Sequence, residues 1–226
     1  MGMVRRRRIV AIALAAVLAL LLGACQPERP SAGRGTPVRR VLIVGDSISY
    51  GIFGTTPRVN ELLVPRLAER GIASSFLGFP GDNILDPWPG RPRWIDLVSA
   101  RIANWNPDVV IVQSSAFPGG RDALKQQQYL AAARDLFRVA GSRGAHVYRV
   151  RHSTPPDPIK RHENEIAEFL QEAAAGDRIS AIPLDWWLQH CDRPFGPDAW
   201  HLSGSGQRCH AQAVTAAIDQ LRAVVG

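Results

Sequence analysis

The stretch from Val41 to Gly51 constrains the fold of this chain more than any other part of the sequence. It reads Val-Leu-Ile-Val-Gly-Asp-Ser-Ile-Ser-Tyr-Gly, so four apolar residues are followed abruptly by Gly45-Asp46-Ser47. Such a run predicts a short buried strand, and the glycine and aspartate allow a sharp turn after it. Parallel α/β sheets bind ligands at the carboxyl ends of their strands. Ser47 is therefore a candidate nucleophile, although a plain strand and turn would give the same pattern.

The rest of the chain alternates between strand and helix patterns. Strands are predicted within 41–44, 72–79, 108–113, 145–150 and 179–184, and the third of these is the most continuously apolar. Helical spacing of apolar residues is found within 56–68, 93–105, 122–140, 159–175 and 203–225. Pro65 is expected to kink or split the first of these helices. This alternation predicts an α/β fold, a three-layer doubly wound sheet of about five parallel strands with helices on both faces.

The N-terminal segment has the pattern of a signal peptide. Arg5–Arg8 precede an uncharged apolar run, Ile9–Leu22, as the two parts of such a peptide do. A membrane span needs about 20 apolar residues, more than this run supplies. Leu22-Gly23-Ala24-Cys25 resembles a bacterial lipobox, in which the cysteine is lipidated and becomes the new N-terminus. The alternatives are an ordinary signal peptide that ends near a cysteine and an uncleaved anchor.

This interpretation divides the chain into a signal peptide (1–24), a lipid-anchored flexible tether (25–38) and one domain (39–226). The tether is rich in Pro, Gly, Ser and Arg, which favours a flexible linker. The mature protein is then expected outside the cytoplasm, attached to the bacterial cell membrane through the lipid on Cys25.

The charge and the cysteines exclude two classes of partner. The net charge is +7, but four of the 27 basic residues are Arg5–Arg8, which leaves 23 against 20 acidic residues. No basic cluster interleaved with aromatic residues remains, so no nucleic-acid partner is expected. The three cysteines, at 25, 191 and 209, lack the spacing of a zinc site, and no metal is expected.

The segment Asp198-Ala199-Trp200-His201 supplies the partners that a nucleophilic serine needs. A serine hydroxyl is a poor nucleophile unless a base removes its proton, and that base must be held in one tautomer. We predict that Ser47 is the nucleophile, that His201 is the base and that Asp198 orients His201. The other histidines fall in a strand, in loops or on helix faces, and are expected to be structural or solvated.

The early Gly-Asp-Ser and the late Asp-x-x-His resemble the first and last sequence blocks of the SGNH (GDSL-type) hydrolases. The resemblance covers roughly Arg39 to the C-terminus. It implies a serine ester hydrolase without metal or organic cofactor. It also implies an oxyanion hole formed by the N–H of Ser47, the N–H of a second-block glycine and a third-block asparagine side chain. Gly81 matches that glycine best, and Gly78 is the runner-up.

The third block departs from the pattern of this family. The chain reads Gln113-Ser114-Ser115-Ala116-Phe117, where the family usually has Gly-x-Asn, so Ser115 aligns with the glycine and Phe117 with the asparagine. Losing one oxyanion donor costs roughly 100- to 1000-fold in turnover. The candidate replacements all carry a side-chain donor: Ser114, Ser115, Gln113 and Asn83. We assign the role to Ser115, and the alternative is that the serines only ease the turn after the strand.

Similar third blocks occur in SGNH domains associated with acylation of envelope polysaccharides. The resemblance therefore favours O-acetyl or other short acyl esters on cell-envelope glycans as substrates, through hydrolysis or through acyl transfer. The rivals are a catalytically weak domain that binds acyl-glycans for a partner and a lipase, for which no long apolar lid segment is evident. Tryptophans usually belong to the core, but five could stack on sugar rings: Trp88, Trp94, Trp186, Trp187 and Trp200.

Two cysteines remain once Cys25 is assigned to a lipid. Thiols outside the cytoplasm tend to be oxidised, so Cys191 and Cys209 are expected to form a disulfide. They flank Asp198 and His201 on both sides, and a bridge would hold the loop that carries them. Two unpaired buried cysteines are the alternative.

The lipobox-like segment generates a direct prediction. Replacing Cys25 with serine removes the thiol that accepts the lipid, so Cys25→Ser should release the protein from membranes or block its processing. Membrane fractionation and N-terminal mass spectrometry of the variant measure both. Unchanged membrane retention with a normally cleaved N-terminus would contradict lipidation.

Overall fold

Five parallel strands form the central sheet, in the order β2-β1-β3-β4-β5. The computed structural model describes residues 37–50, 57–85, 87–114, 117, 119–151, 156–176 and 179–225. The signal peptide, Cys25, the tether up to residue 36 and Ser115 lie outside the described residues. The strands are β1 (Arg40–Gly45), β2 (Ala73–Gly78), β3 (Val109–Gln113), β4 (His146–Arg151) and β5 (Ser180–Pro183).

Helices cover both faces of the sheet, so the three-layer architecture expected from the sequence is confirmed. They are α1 (Ser47–Tyr50), α2 (Val59–Ala68), α3 (Trp94–Trp105), α4 (Ala123–Ala140), α5 (Pro158–Ala175), α6 (Leu184–Gln189) and α7 (Gly204–Val225). Apolar residues of α2, α6 and α7 pack on one face, and those of α3, α4 and α5 pack on the other. None of the helices within the described ranges is long and apolar enough to cross a membrane.

The alternating direction of strand side chains explains why β1 is apolar throughout. Val41 and Ile43 belong to the hydrophobic cluster under α2 and α7, whereas Leu42 and Val44 belong to the cluster under α3 and α4. All four side chains are almost completely buried. A central parallel strand is covered on both faces, so it has no position for a polar residue.

The predicted elements agree with the observed ones apart from three details. Pro65 lies inside α2, which runs unbroken from Val59 to Ala68 although Pro65 has no N–H to donate to the carbonyl four residues earlier. The short helices α1 and α6 were not predicted. Asn106 ends α3 in the left-handed conformation, with φ of 47°, directly before Pro107.

The parallel register brings the functional segments to one edge of the sheet. Gly45, the last residue of β1, pairs with Gly78 of β2 and with Gln113 of β3. The loop after β2 is tied to this edge, because the N–H of Phe79 donates to the Gly45 carbonyl at 2.8 Å. Ser47 and the segments following β2 and β3 therefore share the carboxyl edge, where such sheets bind ligands.

Candidate active site

The turn that presents Ser47 depends on the two residues before it. A Cβ atom at Gly45 would overlap the Ser49 side chain, so only glycine fits where β1 meets α1. The Asp46 carboxylate is buried and accepts a hydrogen bond from the Ile48 N–H at 2.9 Å. Gly45 and Asp46 thus allow the chain to turn sharply and fix Ser47 as the first residue of α1.

The candidate acid and base lie on a narrow loop before α7. The N–H of Gly196 donates to the His201 carbonyl at 2.7 Å, and the N–H of Ser203 donates to the Pro194 carbonyl at 2.9 Å. These bonds close the loop across its width. A Cβ atom at Gly206 would overlap the Pro194 carbonyl, so the first turn of α7 packs directly on the loop.

Asp198 both shapes this loop and orients the histidine. Its Oδ1 accepts hydrogen bonds from the backbone N–H groups of Trp200 and His201, both at 3.0 Å. Its Oδ2 lies 2.5 Å from Nδ1 of the His201 ring. A separation of three residues allows one carboxylate to reach the backbone and the ring together.

The structure brings Ser47, His201 and Asp198 together. Nε2 of His201 lies 3.0 Å from Oγ of Ser47, although the two residues are 154 positions apart. With the proton on Nδ1, the ring donates to Asp198 and its Nε2 can accept the serine proton. Nucleophile, base and orienting acid within hydrogen-bond reach can activate a serine hydroxyl.

Hydrogen bonds keep Asp198 ionised. Partial burial on its own would raise the pKa of this carboxyl. The bonds from the His201 ring and from the N–H groups of Trp200 and His201 outweigh that effect and lower the pKa to about 2. Asp198 therefore carries a negative charge at any pH near neutral, and this charge stabilises a protonated imidazole.

Gly81 occupies the third position of a tight turn after β2. The N–H of Asp82 donates to the Phe79 carbonyl at 3.0 Å, and Gly81 has φ of 81°. Proline at the second position and glycine with positive φ at the third define a type II turn. Gly78, the runner-up, is the last residue of β2, where a Cβ atom would overlap the Tyr50 ring. Of the two, Gly81 lies in the loop.

The third block contributes to the core. Oγ of Ser114 lies 3.0 Å from the Tyr129 hydroxyl, and burial raises the pKa of Tyr129 to about 12. Phe117, which aligns with the family's asparagine, is buried and packs edge to face on Tyr129 with ring centroids 5.3 Å apart.

Gln113 is buried and accepts a hydrogen bond from the Ser49 hydroxyl, and its amide nitrogen has no partner among the described residues. Asn83 accepts a hydrogen bond from the Leu85 N–H at 2.9 Å.

The five tryptophans have different surroundings. Trp94 is buried and stacks on Phe79 with centroids 4.5 Å apart, and Trp187 packs against the core. Trp200 is half-buried, and the Lys160 ammonium lies 5.4 Å from its ring centroid. Trp88 and Trp186 are 56% and 53% exposed.

Cys191 and Cys209 form a disulfide with a Cα–Cα distance of 6.6 Å. The bridge joins the residues after α6 to the first turns of α7, and the loop with Asp198 and His201 lies between its ends. In the chain-entropy model, closing a loop of this length stabilises the fold by about 3 kcal/mol.

Sequence reasoning missed the residues that surround the Gly81 turn. The side chain of Asp82 is fully buried and pairs with Arg91 at 3.3 Å, and the indole N–H of Trp88 donates to the Gly81 carbonyl at 2.8 Å. The Pro80-Gly81 pair was a detectable turn signal. Nothing in the sequence pattern indicated that Trp88 and Arg91 fold back on this turn.

Comparison with known proteins gives the same fold. No family model and no curated protein matches the sequence. A protein from Slackia heliotrinireducens, provisionally assigned to the SGNH hydrolases, has a TM-score of 0.61 at 15% identity, over 79% of this chain and 98% of that one. A Clostridium thermocellum family 3 carbohydrate esterase has a TM-score of 0.52 at 24% identity, over 84% and 100%.

A third similar structure is the psychrotrophic esterase EstA from Pseudoalteromonas sp., inhibited by monoethylphosphonate. Its TM-score is 0.56 at 13% identity, over 81% of this chain and 98% of that one. Nearly the whole length of each of these three structures aligns with residues of this chain. At these identities the likeness shows that the chain has their α/β fold.

The low pKa of Asp198 predicts how the Asp198→Asn variant behaves. An amide cannot supply the negative charge that stabilises protonated His201, so esterase turnover should fall by roughly 100- to 10,000-fold. Because the carboxyl has a pKa of about 2, it is ionised from pH 5 to pH 8, so the variant should be slower than the wild type at every pH in this range. Turnover rates of both proteins, measured from pH 5 to pH 8 in steps of half a pH unit, test this. A variant that is as fast as the wild type at pH 8 would contradict the role of Asp198.

The disulfide predicts that reduction lowers activity before it unfolds the domain. Reduction should loosen the loop of Asp198 and His201 while the sheet remains intact, so turnover should fall at reductant concentrations that leave the far-ultraviolet circular dichroism unchanged. The double variant Cys191→Ser/Cys209→Ser is the matched control and should not respond to reductant. Full activity of the reduced protein, or two free thiols in exported protein, would contradict this role.

Proposed function

We propose that this chain is a serine hydrolase of acyl esters, with Ser47 as nucleophile, His201 as general base and Asp198 as the group that orients it. One observation carries the proposal. A continuous series of contacts runs from Oδ2 of Asp198 to Nδ1 of His201 at 2.5 Å, and from Nε2 of His201 to Oγ of Ser47 at 3.0 Å. The fold shared with known esterases supports it.

The geometry is compatible with a two-step reaction. Oγ of Ser47 attacks the ester carbonyl while Nε2 of His201 takes its proton, and Asp198 stabilises the resulting imidazolium. The tetrahedral intermediate collapses as His201 returns the proton to the leaving alcohol, which gives an acyl-serine. In the second step His201 takes a proton from water, the hydroxide attacks the acyl carbon, and Ser47 leaves with the proton.

The negative charge on the substrate oxygen requires fixed donors. We assign two of them to the backbone N–H groups of Ser47 and Gly81, both at the carboxyl edge of the sheet. For the third we keep Ser115, with the buried Gln113 amide as the alternative, because Phe117 and the hydroxyl of Ser114 contribute to the core.

The substrate class that we favour is a short acyl ester on a carbohydrate of the cell envelope. A similar structure is named as a carbohydrate esterase. Transfer differs from hydrolysis only in the second step, where a sugar hydroxyl instead of water accepts the acyl group.

We further propose that the domain works outside the cytoplasm, held to the membrane through Cys25. The disulfide between Cys191 and Cys209 supports an oxidising compartment, because cytosolic thiols are kept reduced.

The experiment compares the wild type with Ser47→Ala. The wild type should hydrolyse p-nitrophenyl acetate faster than long-chain p-nitrophenyl esters, and a phosphonate ester should add one phosphonyl group to it, detected by mass spectrometry. Ser47→Ala should abolish both the hydrolysis and the labelling, because no other hydroxyl in the part of the chain described lies within hydrogen-bond distance of Nε2 of His201. Ser142→Ala, an exposed serine at the end of α4, is the matched control and should behave as the wild type.

The outcomes separate the rival functions. Labelling that persists in Ser47→Ala would overturn the nucleophile assignment. A wild type that neither turns over esters nor reacts with the phosphonate would favour the acyl-glycan-binding domain, and faster turnover of long acyl chains would favour a lipase.

A further inference from the structure

The peptide that contains the Gly81 N–H is the central peptide of the type II turn formed by residues 79–82. The turn closes through the N–H of Asp82 and the carbonyl of Phe79, so the turn bond does not use the central N–H. A trans peptide directs its N–H opposite to its C=O. Whatever holds the carbonyls on either side of Gly81 therefore decides where its N–H is directed.

Trp88 holds the carbonyl on one side. Its indole N–H donates to the Gly81 carbonyl at 2.8 Å, and its backbone N–H donates to Oδ1 of Asp82 at 3.0 Å. Three atoms of the indole would lie 3.3–3.4 Å from a Cβ atom at Gly81. The ring thus rests on the glycine itself, and this limits how far the turn can rotate.

Arg91 approaches the carbonyl on the other side. Its Nη1 lies 3.5 Å from the Pro80 carbonyl and 3.3 Å from Oδ2 of Asp82. The guanidinium also lies 5.5 Å from the centroid of the Trp88 ring, within cation–π range. The carboxylate of Asp82 is fully buried, and a buried charge requires a partner, so Arg91 is held where it faces the turn.

We propose that Trp88 and Arg91 are positioning residues that aim the Gly81 N–H at the oxyanion of the reaction. Trp88 fixes the peptide after Gly81, and Arg91 fixes the peptide before it. The positive charge beside the Pro80 carbonyl also polarises that peptide, which makes its N–H a stronger donor. This inference rests on the proposed esterase function, and it assigns Trp88 to the oxyanion donor instead of to sugar stacking.

The test uses three variants of the full chain, Trp88→Phe, Arg91→Met and Arg91→Lys. Phenylalanine keeps an aromatic ring but has no N–H, methionine removes the charge, and lysine keeps it. With p-nitrophenyl acetate, Trp88→Phe and Arg91→Met should each lower kcat by roughly 10- to 100-fold, less than removal of a donor, with KM changed less than twofold. The rate of phosphonate labelling should fall in parallel, because that reaction also places negative charge on an oxygen. Arg91→Lys should keep most of the wild-type kcat, because lysine retains the positive charge.

Two matched controls lie outside the turn. Trp186→Phe replaces a tryptophan that is exposed to nearly the same extent, and Arg93→Met replaces an exposed arginine that pairs with Asp96 just after the same loop. Both should keep wild-type kcat. The double variant Trp88→Phe/Arg91→Met should lose little more than the worse single variant, because both residues act on the orientation of Gly81.

The readouts distinguish this proposal from the function on which it rests. An active wild type with unchanged kcat and labelling rate in Trp88→Phe and Arg91→Met overturns the positioning role alone. A raised KM with unchanged kcat overturns it in favour of substrate contact. A wild type without turnover or labelling overturns both proposals. Thermal unfolding midpoints identify any variant that misfolds. If Trp88→Phe misfolds, the Arg91 variants still test the proposal, because Arg91 is exposed and its replacement should not disturb the core.

Discussion

The three hydrogen bonds to the Asp198 carboxylate determine the geometry of the acid–base loop. Two of them come from backbone N–H groups and shape the loop, and the third comes from the His201 ring. Because one group makes all three, the position of the imidazole cannot be changed without changing the loop. The disulfide and the packing of Gly206 on Pro194 then attach this loop to α7. The precision of the candidate base thus originates in local chain geometry and is secured by tertiary contacts.

The same principle governs the nucleophile side of the site. Glycine at position 45 permits close contact with Ser49, and Asp46 fixes the short helix that begins at Ser47. These devices act within a few residues of each other. The contact between His201 and Ser47 joins residues 154 positions apart, and the parallel sheet with its covering helices supplies it.

The difference between local and long-range contacts explains what the sequence could predict. The five strands, both faces of helices and the residues at 47, 198 and 201 followed from periodicity and short motifs. The strand alternation also explains Ser114: it follows Val110 and Val112 on the face of α4 and α5, so its hydroxyl meets Tyr129. Helices α1 and α6 were missed because four and six residues are too few for a periodic pattern. The approach of Arg91 to the Gly81 turn depends on how a long loop folds back, which no local pattern encodes.

Phe117 connects the departure in the third block with the contacts around Gly81. A side-chain amide in the oxyanion hole has flexible torsions of its own, and here the aligned residue is an aromatic ring packed on Tyr129. A site that depends more on backbone donors needs those donors to be rigid, because a backbone N–H can be aimed only through the peptide that carries it. Glycine has the greatest backbone freedom of all residue types. Gly81 is nevertheless restrained by the hydrogen bond that its own carbonyl accepts from Trp88 and by the Arg91 guanidinium at the Pro80 carbonyl. In the proposed oxyanion hole, the packing of Phe117 in the core and the restraint on Gly81 are then two parts of one arrangement, in which the backbone donor at Gly81 carries a larger share of the charge stabilisation.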